Sequence, residues 1–351
     1  MRAFCTIATP SHVHYAFALA ESLKNAGNPE LLHVLVFGGA LPEVPADSTN
    51  VRLLDLEDLP QDFPPLMRYY YSAFELCNAL KPYLVRHLFN QSDISAVIFL
   101  DSDLLITSRF DRIWKELEST SLLLTLHHFS PPSIDALHTN EVDVIDLGFM
   151  NGGFAAWRAG EAANRILDWM CERFAVYGFY RYLGMAADQK LLPLVLSYFP
   201  DVVRVSRDPG LNIAYWNAHE RSVKHEEGSY TIEGKDVVFF HMSGCQLEHP
   251  DLVCAYISPK ANELLLQQAP WLEGVVADYL RLIRRFTKHK SPATLPYLYD
   301  RYDGIKLNPD YRRLLFSAGK LDRRDQRFWA IRITVWLRAV KRLFTGVRPL
   351  T

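Results

Sequence analysis

The chain has 351 residues, of which 49% are hydrophobic and 22% charged, and its formal net charge is −2. This composition excludes a mainly disordered protein, because the apolar surface is large enough to offset the entropy of ordering the chain. It also argues against a membrane-spanning protein, since no apolar run approaches the roughly 20 residues that cross a bilayer. We expect no secretory signal, because Pro10 and His12 interrupt the short apolar run after Arg2.

The first hundred residues alternate between strand-like and helix-like segments. The expected strands are residues 4–9, 32–37, 51–54 and 96–100, and the expected helices are residues 14–26 and 71–89. Strands that are apolar on both faces and alternate with amphipathic helices are typical of a mostly parallel sheet covered by helices. We therefore predict an α/β fold.

The rest of the chain is more mixed. Further strands are expected at residues 122–127, 149–157, 202–205 and 237–241, further helices at 159–177, 187–199, 311–318 and 327–344, and a loop at 130–143. The length allows one large domain or two ordinary ones. Residues 286–296 are the best linker candidate, which divides the chain into a body of residues 1–285 and an extension of residues 286–351.

Five cysteines are scattered through the chain without a CxxC pair: Cys5, Cys77, Cys171, Cys245 and Cys254. An odd number at wide spacing predicts reduced thiols in a cytoplasmic protein rather than a disulfide framework.

The sharpest chemical feature is Asp101-Ser102-Asp103, which directly follows the apolar strand 96–100. In open α/β sheets, ligands bind outside the carboxyl ends of the strands. Two carboxylates placed there repel each other unless a cation neutralises them, and their oxygens suit Mg²⁺ or Mn²⁺. Such an ion can hold a diphosphate. The alternative is a turn with two solvated acids, but the position after a strand favours the metal.

Three other segments add to this feature. Lys81, on the helix before that strand, could reach a diphosphate oxygen, although an ordinary surface lysine is the alternative. Gly152 and Gly153 let the backbone approach a ligand and Asn151 offers a donor and an acceptor to sugar hydroxyls, unless the three form only a tight turn. His241 ends a late strand, where a neutral imidazole could complete a metal site or simply lie in the core.

In this order, and with Asp188-Gln189 at the expected start of a helix, these segments resemble the retaining nucleotide-sugar glycosyltransferases. The similarity is greatest to glycosyltransferase family 8, the group of bacterial lipooligosaccharide galactosyltransferases and glycogenin. It covers roughly residues 3–250 and is one of motif order and spacing. The resemblance implies a GT-A fold, with residues 1–285 as the catalytic domain and a helical C-terminal extension.

The resemblance also implies a function for each matching residue. Asp101, Asp103 and His241 would bind Mn²⁺ or Mg²⁺, which holds the diphosphate of a UDP-sugar. Asp188 and Gln189 would lie near the anomeric carbon, with Asp188 as a nucleophile, a sugar-orienting group or merely a helix cap. The residues expected at the donor are Ala8, Thr9, Tyr15, Lys81, Ser102, Asn151, Gly152 and Gly153. The reaction implied is transfer, with retention, to a hydroxyl of a bacterial glycan or lipid-linked glycan.

The sequence departs from the family pattern at three places. One is the segment of residues 212–221, which looks like a feature of a divergent bacterial subgroup. The family's Asn-Ala-Gly segment reads Asn-Gly-Gly at residues 151–153, and its late glycine followed by Lys-Pro-Trp appears only as Ser-Gly-Cys at residues 243–245. A lysine that holds the diphosphate in the family is therefore missing there.

Acceptor recognition is expected from Tyr215, Trp216, Asn217 and His219, which mix aromatic faces with polar tips; a packed aromatic loop is the alternative.

Residues 271–351 carry eighteen Lys and Arg against seven Asp and Glu. Within this region, residues 327–348 predict a helix with an apolar arc and a basic face. This pattern is typical of a helix on an anionic membrane, and the alternative is a helix packed on the body or on a second subunit. We expect a location in the cytoplasm or at the inner face of the cell membrane, and no nucleic-acid partner.

Three other functions compete with sugar transfer. A haloacid-dehalogenase-like phosphatase also carries Asp-X-Asp after a strand, but its motif normally continues with Thr or Val where this chain has Leu105. A sugar-1-phosphate nucleotidyltransferase needs a glycine-rich first loop, whereas the first glycine here is Gly27. The third competitor is a catalytically inactive GT-A-like binding module.

Overall fold

The structure is a computed structural model that describes residues 1–60, 62–91, 93–289 and 297–319. The strands are β1 (Arg2–Ala8), β2 (Leu32–Val36), β3 (Val51–Leu54), β4 (Ala96–Leu100), β5 (Leu104–Ile106), β6 (Leu122–Leu126), β7 (Met150–Arg158), β8 (Val203–Val205), β9 (Val223–Glu226), β10 (Ser229–Ile232), β11 (Lys235–Asp236), β12 (Phe239–His241), β13 (Arg301–Tyr302) and β14 (Ile305–Lys306). The helices are α1 (Val13–Asn25), α2 (Met67–Tyr70), α3 (Ala73–Ala79), α4 (Lys81–Phe89), α5 (Asp111–Leu117), α6 (Glu141–Leu147), α7 (Glu161–Tyr177), α8 (Leu192–Tyr198), α9 (Pro259–Gln268), α10 (Trp271–Phe286) and α11 (Pro309–Gly319).

Seven strands form the central sheet, in the order β3-β2-β1-β4-β7-β6-β8. Every neighbouring pair is parallel except those made by β7, which runs antiparallel to both β4 and β6. Strands β2 and β4 are buried along their whole length, as expected for apolar runs covered on both faces. The predicted α/β fold with a mostly parallel sheet is therefore confirmed.

Helices cover both faces of the sheet, and side chains alternate between the two layers. Ile98 of β4 packs in one core with residues of α1, α5 and α10. Its neighbours Val97 and Phe99 pack in the other core with residues of α4, α7 and α8. This alternation is the period of two that a strand imposes on its side chains.

Three predicted elements differ from the observed ones. The helix expected at residues 71–89 with an interruption only at Pro82 is two helices, α3 and α4. The break lies just before Pro82, which has no N–H to continue the helical ladder. The helix expected at 187–199 begins only at Leu192, since Ala187 has a left-handed backbone with φ +50°. The loop expected at 130–143 ends earlier, where Asn140 caps α6.

The described part of the extension packs on the body. Arg312 of α11 donates hydrogen bonds to the carbonyl oxygens of Tyr69 and Tyr71, at 2.7 and 2.5 Å. The expected helix at 311–318 is thus confirmed, and it lies against α2. Within the expected linker 286–296, α10 ends at Phe286, and residues 290–296 are outside the described part, so the domain boundary stays a prediction. Residues 327–348 also lie outside it.

Two sequence expectations about the whole chain can be compared with the described residues. All five cysteines are free, as predicted. No helix in the described ranges is both long enough and apolar enough to cross a bilayer.

Candidate functional site

The carboxyl ends of β1 and β4 and the beginning of the antiparallel strand β7 lie at the same edge of the sheet. Two of the motifs predicted from the sequence therefore meet there. The backbone N–H of Asp101, just after β4, donates to the carbonyl of Gly153 in β7 at 2.8 Å. The Asp-X-Asp and Asn-Gly-Gly segments are thus in direct contact although about fifty residues of chain separate them.

Asp103 and His241 are brought together by a second, smaller sheet. Strand β5 follows Asp103 and pairs antiparallel with β12, in the register that places His241 opposite Leu104. The N–H of Met242 donates to the Asp103 carbonyl at 2.9 Å. As a result, one ligand atom from each of Asp101, Asp103 and His241 lies within 4.8 Å of the other two. The structure brings the three predicted metal ligands together.

The two carboxylates of this group differ in environment. Burial raises the pKa of Asp101, and the nearby Asp103 raises it further, against the opposing effect of Lys81. Burial would also raise the pKa of Asp103, but His241, whose Nε2 is 3.4 Å from Oδ1, outweighs it and lowers the pKa. The side chains are 31% and 34% exposed, so a ligand can reach both.

Lys81 does not point to a free diphosphate site. Its Nζ is buried and lies 2.9 Å from the Gly152 carbonyl, 2.9 Å from Asp188 Oδ2 and 3.2 Å from Asp101 Oδ1. Burial alone would lower the pKa of this ammonium, but the two carboxylates outweigh burial and raise it, so Lys81 stays charged. The ammonium donates two hydrogen bonds, to Gly152 and Asp188, and forms an ion pair with Asp101. It therefore bridges Asp101 and Asp188, and its expected contact with a diphosphate stays a prediction.

The two glycines make room for protein side chains rather than for a ligand alone. A Cβ on Gly152 would lie 2.7 Å from the Asp188 carboxyl carbon and closer still to an oxygen. A Cβ on Gly153 would lie 2.5 Å from Cε1 of His241. The middle glycine, which departs from the family's alanine, is therefore required by the position of Asp188.

Asn151 is buried and uses its amide within the protein. Its Oδ1 accepts from the N–H of Gly153 at 2.9 Å, and its Nδ2 lies 3.1 Å from Nε2 of His127. Burial lowers the pKa of His127 to about 3, so the ring is neutral and can accept this hydrogen bond. The expected contact of the Asn151 amide with sugar hydroxyls stays a prediction. Sequence reasoning missed His127, although it follows β6 as Asp101 follows β4.

Asp188 and Gln189 lie in the turns that precede α8, not at its cap. The cap of α8 is Leu191, so the alternative of a simple helix cap for Asp188 is wrong. Asp188 is only 4% exposed and is held by Lys81. The side-chain oxygen of Gln189 is buried and has no hydrogen-bond partner among the described residues. Such an unpaired acceptor is costly unless a ligand satisfies it.

The residues expected around the nucleotide lie at the end of β1 and on α1. Ala8 is the last residue of β1, and the Thr9 hydroxyl contacts Ser11 and His12, each at 3.0 Å. Tyr15 is half-buried; burial, followed by the charges of Glu248 and Asp103, raises its pKa to about 12. Its phenol therefore lies within the electrostatic range of the carboxylate site. Ser102 is half-buried between the two aspartates.

The four expected acceptor residues lie on the short 3-10 helix Tyr215–Glu220, with different environments. The ring of Trp216 packs edge-on against His241 at 5.0 Å, and its buried Nε1 has no partner among the described residues. Tyr215 packs against Trp216 at 5.1 Å, and His219 Nε2 lies 3.1 Å from the Ser130 carbonyl. Asn217 is fully buried, and the recorded hydrogen bonds of its amide are with backbone atoms of the same region, so contact of Asn217 with an acceptor stays a prediction.

The turn at residues 243–245, where the family has a lysine, contains no basic residue. Gly244 has φ +78°, and a Cβ there would lie 2.5 Å from Sγ of Cys254. Among the described side chains that carry the site, three carboxylates (Asp101, Asp103 and Asp188) therefore face one ammonium, that of Lys81.

Comparisons with known proteins give distant similarities. No protein-family model matches the chain. It is 23% identical over 252 residues to the uncharacterized protein YfnF of Bacillus subtilis (strain 168). The aligned region covers 70% of this chain and 82% of that protein. It is 26% identical over 254 residues to the uncharacterized protein YfnD of the same organism. This alignment covers 70% of this chain and 78% of YfnD.

Among solved structures, the chain is similar to galactosyltransferase LgtC in complex with donor and acceptor sugar analogs, with a TM-score of 0.45 and 15% identity over 84% of this chain and 98% of that one. It is also similar to glycosyltransferase GlyE of Streptococcus pneumoniae TIGR4, with a TM-score of 0.42 and 13% identity over 84% and 65% of the two chains. A third is mouse xyloside xylosyltransferase 1, with a TM-score of 0.40 and 16% identity over 69% and 97%. All three are glycosyltransferases.

Proposed function

We propose that this protein is a metal-dependent glycosyltransferase that moves a sugar from a UDP-sugar to a hydroxyl acceptor with retention of configuration. The observation that carries the proposal is the convergence of Asp101, Asp103 and His241 at the carboxyl edge of the sheet, beside Asp188. Ligands of open α/β sheets bind at this edge. The order of these motifs along the chain supports the choice of donor class.

The residues present fit a divalent cation of the Mn²⁺ or Mg²⁺ type. Two carboxylates and a neutral imidazole are ligands that Mn²⁺ accepts. The charge balance agrees, since three carboxylates and one ammonium leave an excess of two negative charges. When bound, the cation would supply electrostatic stabilisation to the diphosphate as negative charge grows on the leaving group. Asp101, Asp103 and His241 would hold it.

The other side chains would orient the donor sugar. Lys81 holds the Asp188 carboxylate in one orientation, next to the metal ligand Asp101. Retention requires either that the acceptor attacks from the leaving-group face or that a carboxylate intervenes. Asp188 would be the carboxylate that intervenes or that orients the sugar. The unpaired oxygen of Gln189 would accept a hydrogen bond from a sugar hydroxyl.

Nucleotide and acceptor would contact different residues around the candidate metal ligands. The end of β1, with Ala8, Thr9 and Tyr15, supports the uridine side. Trp216 supports the acceptor side, because its ring touches His241 and its unpaired Nε1 could donate to a hydroxyl. The basic amphipathic pattern of residues 327–348 supports a lipid-linked glycan as acceptor and a location at the inner face of the cell membrane.

Thermal unfolding with UDP, GDP, CMP and TDP, each with Mn²⁺ and again with EDTA, tests the donor site. A ligand that binds only the native state raises the midpoint by mass action. We expect UDP to raise it only with Mn²⁺, and not in Asp103→Asn. The control is Asp111→Asn, which removes an exposed carboxylate paired with Arg109 away from the site and should respond as wild type.

The remaining outcomes distinguish the competing functions. Preference for another nucleotide would contradict the UDP-sugar donor. UDP binding without turnover of any UDP-sugar, with or without acceptors, would favour the binding module. No response to any nucleotide, together with release of phosphate from phosphomonoesters, would favour the phosphatase.

A further inference from the structure

Asn212 lies directly behind the imidazole of His241, on the side away from Asp103. Its Oδ1 is 3.0 Å from Nδ1 of His241, whereas Nε2 on the opposite side of the ring is 3.4 Å from Asp103 Oδ1. Asn212 is 1% exposed and His241 is 6% exposed, so water does not compete for the contact between them. Neither the composition nor the motif order assigned a function to Asn212.

The orientation of the Asn212 amide is determined by a second hydrogen bond. Its Nδ2 donates to the carbonyl of Leu126, at the end of β6, at 3.0 Å. The carbonyl oxygen of the amide must therefore be the atom that faces His241. An oxygen can only accept, so Nδ1 of His241 carries a proton, and Nε2 is the nitrogen left to face Asp103 and a bound cation.

The backbone around Asn212 is built to hold this geometry. Asn212 has φ +54°, a left-handed conformation that asparagine tolerates better than most residues. The buried amide of Asn217 donates to the Asn212 carbonyl at 2.8 Å and to that of His127 at 2.9 Å. Residue Ile213 pairs with β12, and the N–H of His241 donates to its carbonyl at 2.7 Å.

The ring of His241 is also confined by its other neighbours. Gly153 leaves no room for a methyl group beside Cε1, and Trp216 packs against the ring with an interplanar angle of 77°. The ring thus has one orientation, and Asn212 selects one of its two tautomers. A histidine that binds a metal through one nitrogen commonly donates its other N–H to such a partner.

We propose that Asn212 is a positioning residue, which fixes the tautomer and the orientation of His241 so that Nε2 offers its lone pair to a divalent cation held with Asp101 and Asp103. This inference rests on the proposed function for the cation. The tautomer itself is a property of the chain without metal. It can therefore be measured separately.

The experiment uses two variants of Asn212 and one matched control. Asn212→Gly removes the amide while keeping a residue that adopts positive φ at no steric cost. Asn212→Asp keeps an oxygen acceptor beside Nδ1. The control is Asn28→Gly, which removes another buried amide that bonds backbone atoms, between α1 and β2. Melting curves of all three report whether the fold is retained.

Two readouts are measured. Proton–nitrogen correlation spectra of histidine-labelled protein without metal, with His241 assigned from a His241→Asn variant, report the tautomer. Calorimetric titration with Mn²⁺ reports affinity. We expect an Nδ1–H tautomer in wild type and in Asn212→Asp, and a shift toward Nε2–H in Asn212→Gly. We expect Mn²⁺ affinity to fall by about 10-fold to 100-fold in Asn212→Gly, and to stay near wild type in Asn212→Asp and Asn28→Gly.

Two results would overturn the inference: an Nε2–H tautomer in the wild type, or an Asn212→Gly variant whose tautomer and Mn²⁺ affinity match the wild type. A third result would separate the two proposals: the wild type binds no Mn²⁺, but the Asn212→Gly variant loses the Nδ1–H tautomer. That result would contradict the proposed function and support the positioning of His241 by Asn212.

Discussion

Lys81 Nζ and Asp188 Oδ2 lie 2.9 Å apart in the buried floor of the site, although 107 positions separate them in the chain. The same ammonium reaches Asp101, at 3.2 Å, and the carbonyl of Gly152, at 2.9 Å. The catalytic candidate Asp188 and the metal-ligand candidate Asp101 therefore share a single cation. A disturbance of either carboxylate is transmitted to the other through Lys81.

Lys81→Met should strongly destabilise the protein. The change leaves the buried carboxylate of Asp188 and the half-buried carboxylate of Asp101 without their counterion. Removing one partner of a buried ion pair typically costs about 3–5 kcal/mol. Urea unfolding monitored by circular dichroism would measure the loss. The matched change Arg109→Met, at an exposed pair, should cost under about 1 kcal/mol. Equal costs for the two variants would contradict the buried bridge.

Gly152→Ala restores the residue of the family pattern, yet it should harm this protein. The added methyl group would overlap the Asp188 carboxylate, and overpacking of this kind typically costs about 1–3 kcal/mol. The free energy of unfolding and the turnover of donor should both fall. Gly274→Ala in α10, where the nearest atom is 3.7 Å away, is the control and should be neutral or stabilising. An alanine tolerated at position 152 would show that Asp188 is not fixed there.

Asp101→Asn should change stability in opposite directions with and without metal. Burial and the carboxylate of Asp103 raise the pKa of Asp101, so its ionised form is less favourable in the folded than in the unfolded chain. In EDTA near pH 7, the neutral amide should therefore match or exceed the wild type in melting temperature. With Mn²⁺ at about 100 times its Kd, the wild type should gain about 2.7 kcal/mol, which the variant should largely lose.

The prediction would be contradicted if the wild type were more stable than Asp101→Asn in EDTA and the two proteins were equally stable in Mn²⁺. Asp111→Asn, at the surface, serves as the control and should behave as wild type in both conditions.

Acid should destabilise the protein through His127. Burial lowers the pKa of His127 from 6.5 to about 3, so the unfolded chain binds a proton that the folded chain excludes. Its contribution to stability is complete above pH 6.5 and is lost progressively as the pH falls from there toward 3. Between pH 7 and pH 5 the loss should be up to about 2 kcal/mol.

His127→Gln removes this titration while keeping an acceptor near Asn151, so its unfolding free energy should fall less between pH 7 and pH 5 than that of the wild type. His249→Gln, at an exposed histidine, is the control and should retain the wild-type slope. Parallel slopes for wild type and His127→Gln would contradict a neutral His127 in the folded protein.

Local patterns were sufficient to predict the scaffold. Strand β4 is an unbroken apolar run, and β1 and β2 are mostly apolar, so the burial of these strands on both faces follows from their composition. Strand β5 and the small sheet β9–β11 were missed, because segments of two to four residues become strands only through partners that fold against them. Helix α8 begins later than its apolar period indicates, because a left-handed residue interrupts the backbone.

The candidate ligands could also be found in the sequence, since Asp101, Asp103 and His241 each stand at the end or edge of a strand-like run. Their neighbours could not. The pattern along the chain did not indicate that Lys81 bridges two carboxylates or that Asn151 contacts His127. Asn212 was noted only as the first residue of a segment that departs from the family pattern, and its contact with His241 was not expected.

The amino-acid sequence by itself determined the α/β class and indicated Asp101, Asp103 and His241 as candidate metal ligands, because hydrophobic periodicity and strand ends are local properties. Only the tertiary structure decided which atoms the buried polar groups contact. A buried ammonium or amide bonds whatever acceptor the packing of distant segments places within about 3 Å, as Asp188 is placed beside Lys81 and Asn212 beside His241. No spacing along the chain encodes that distance.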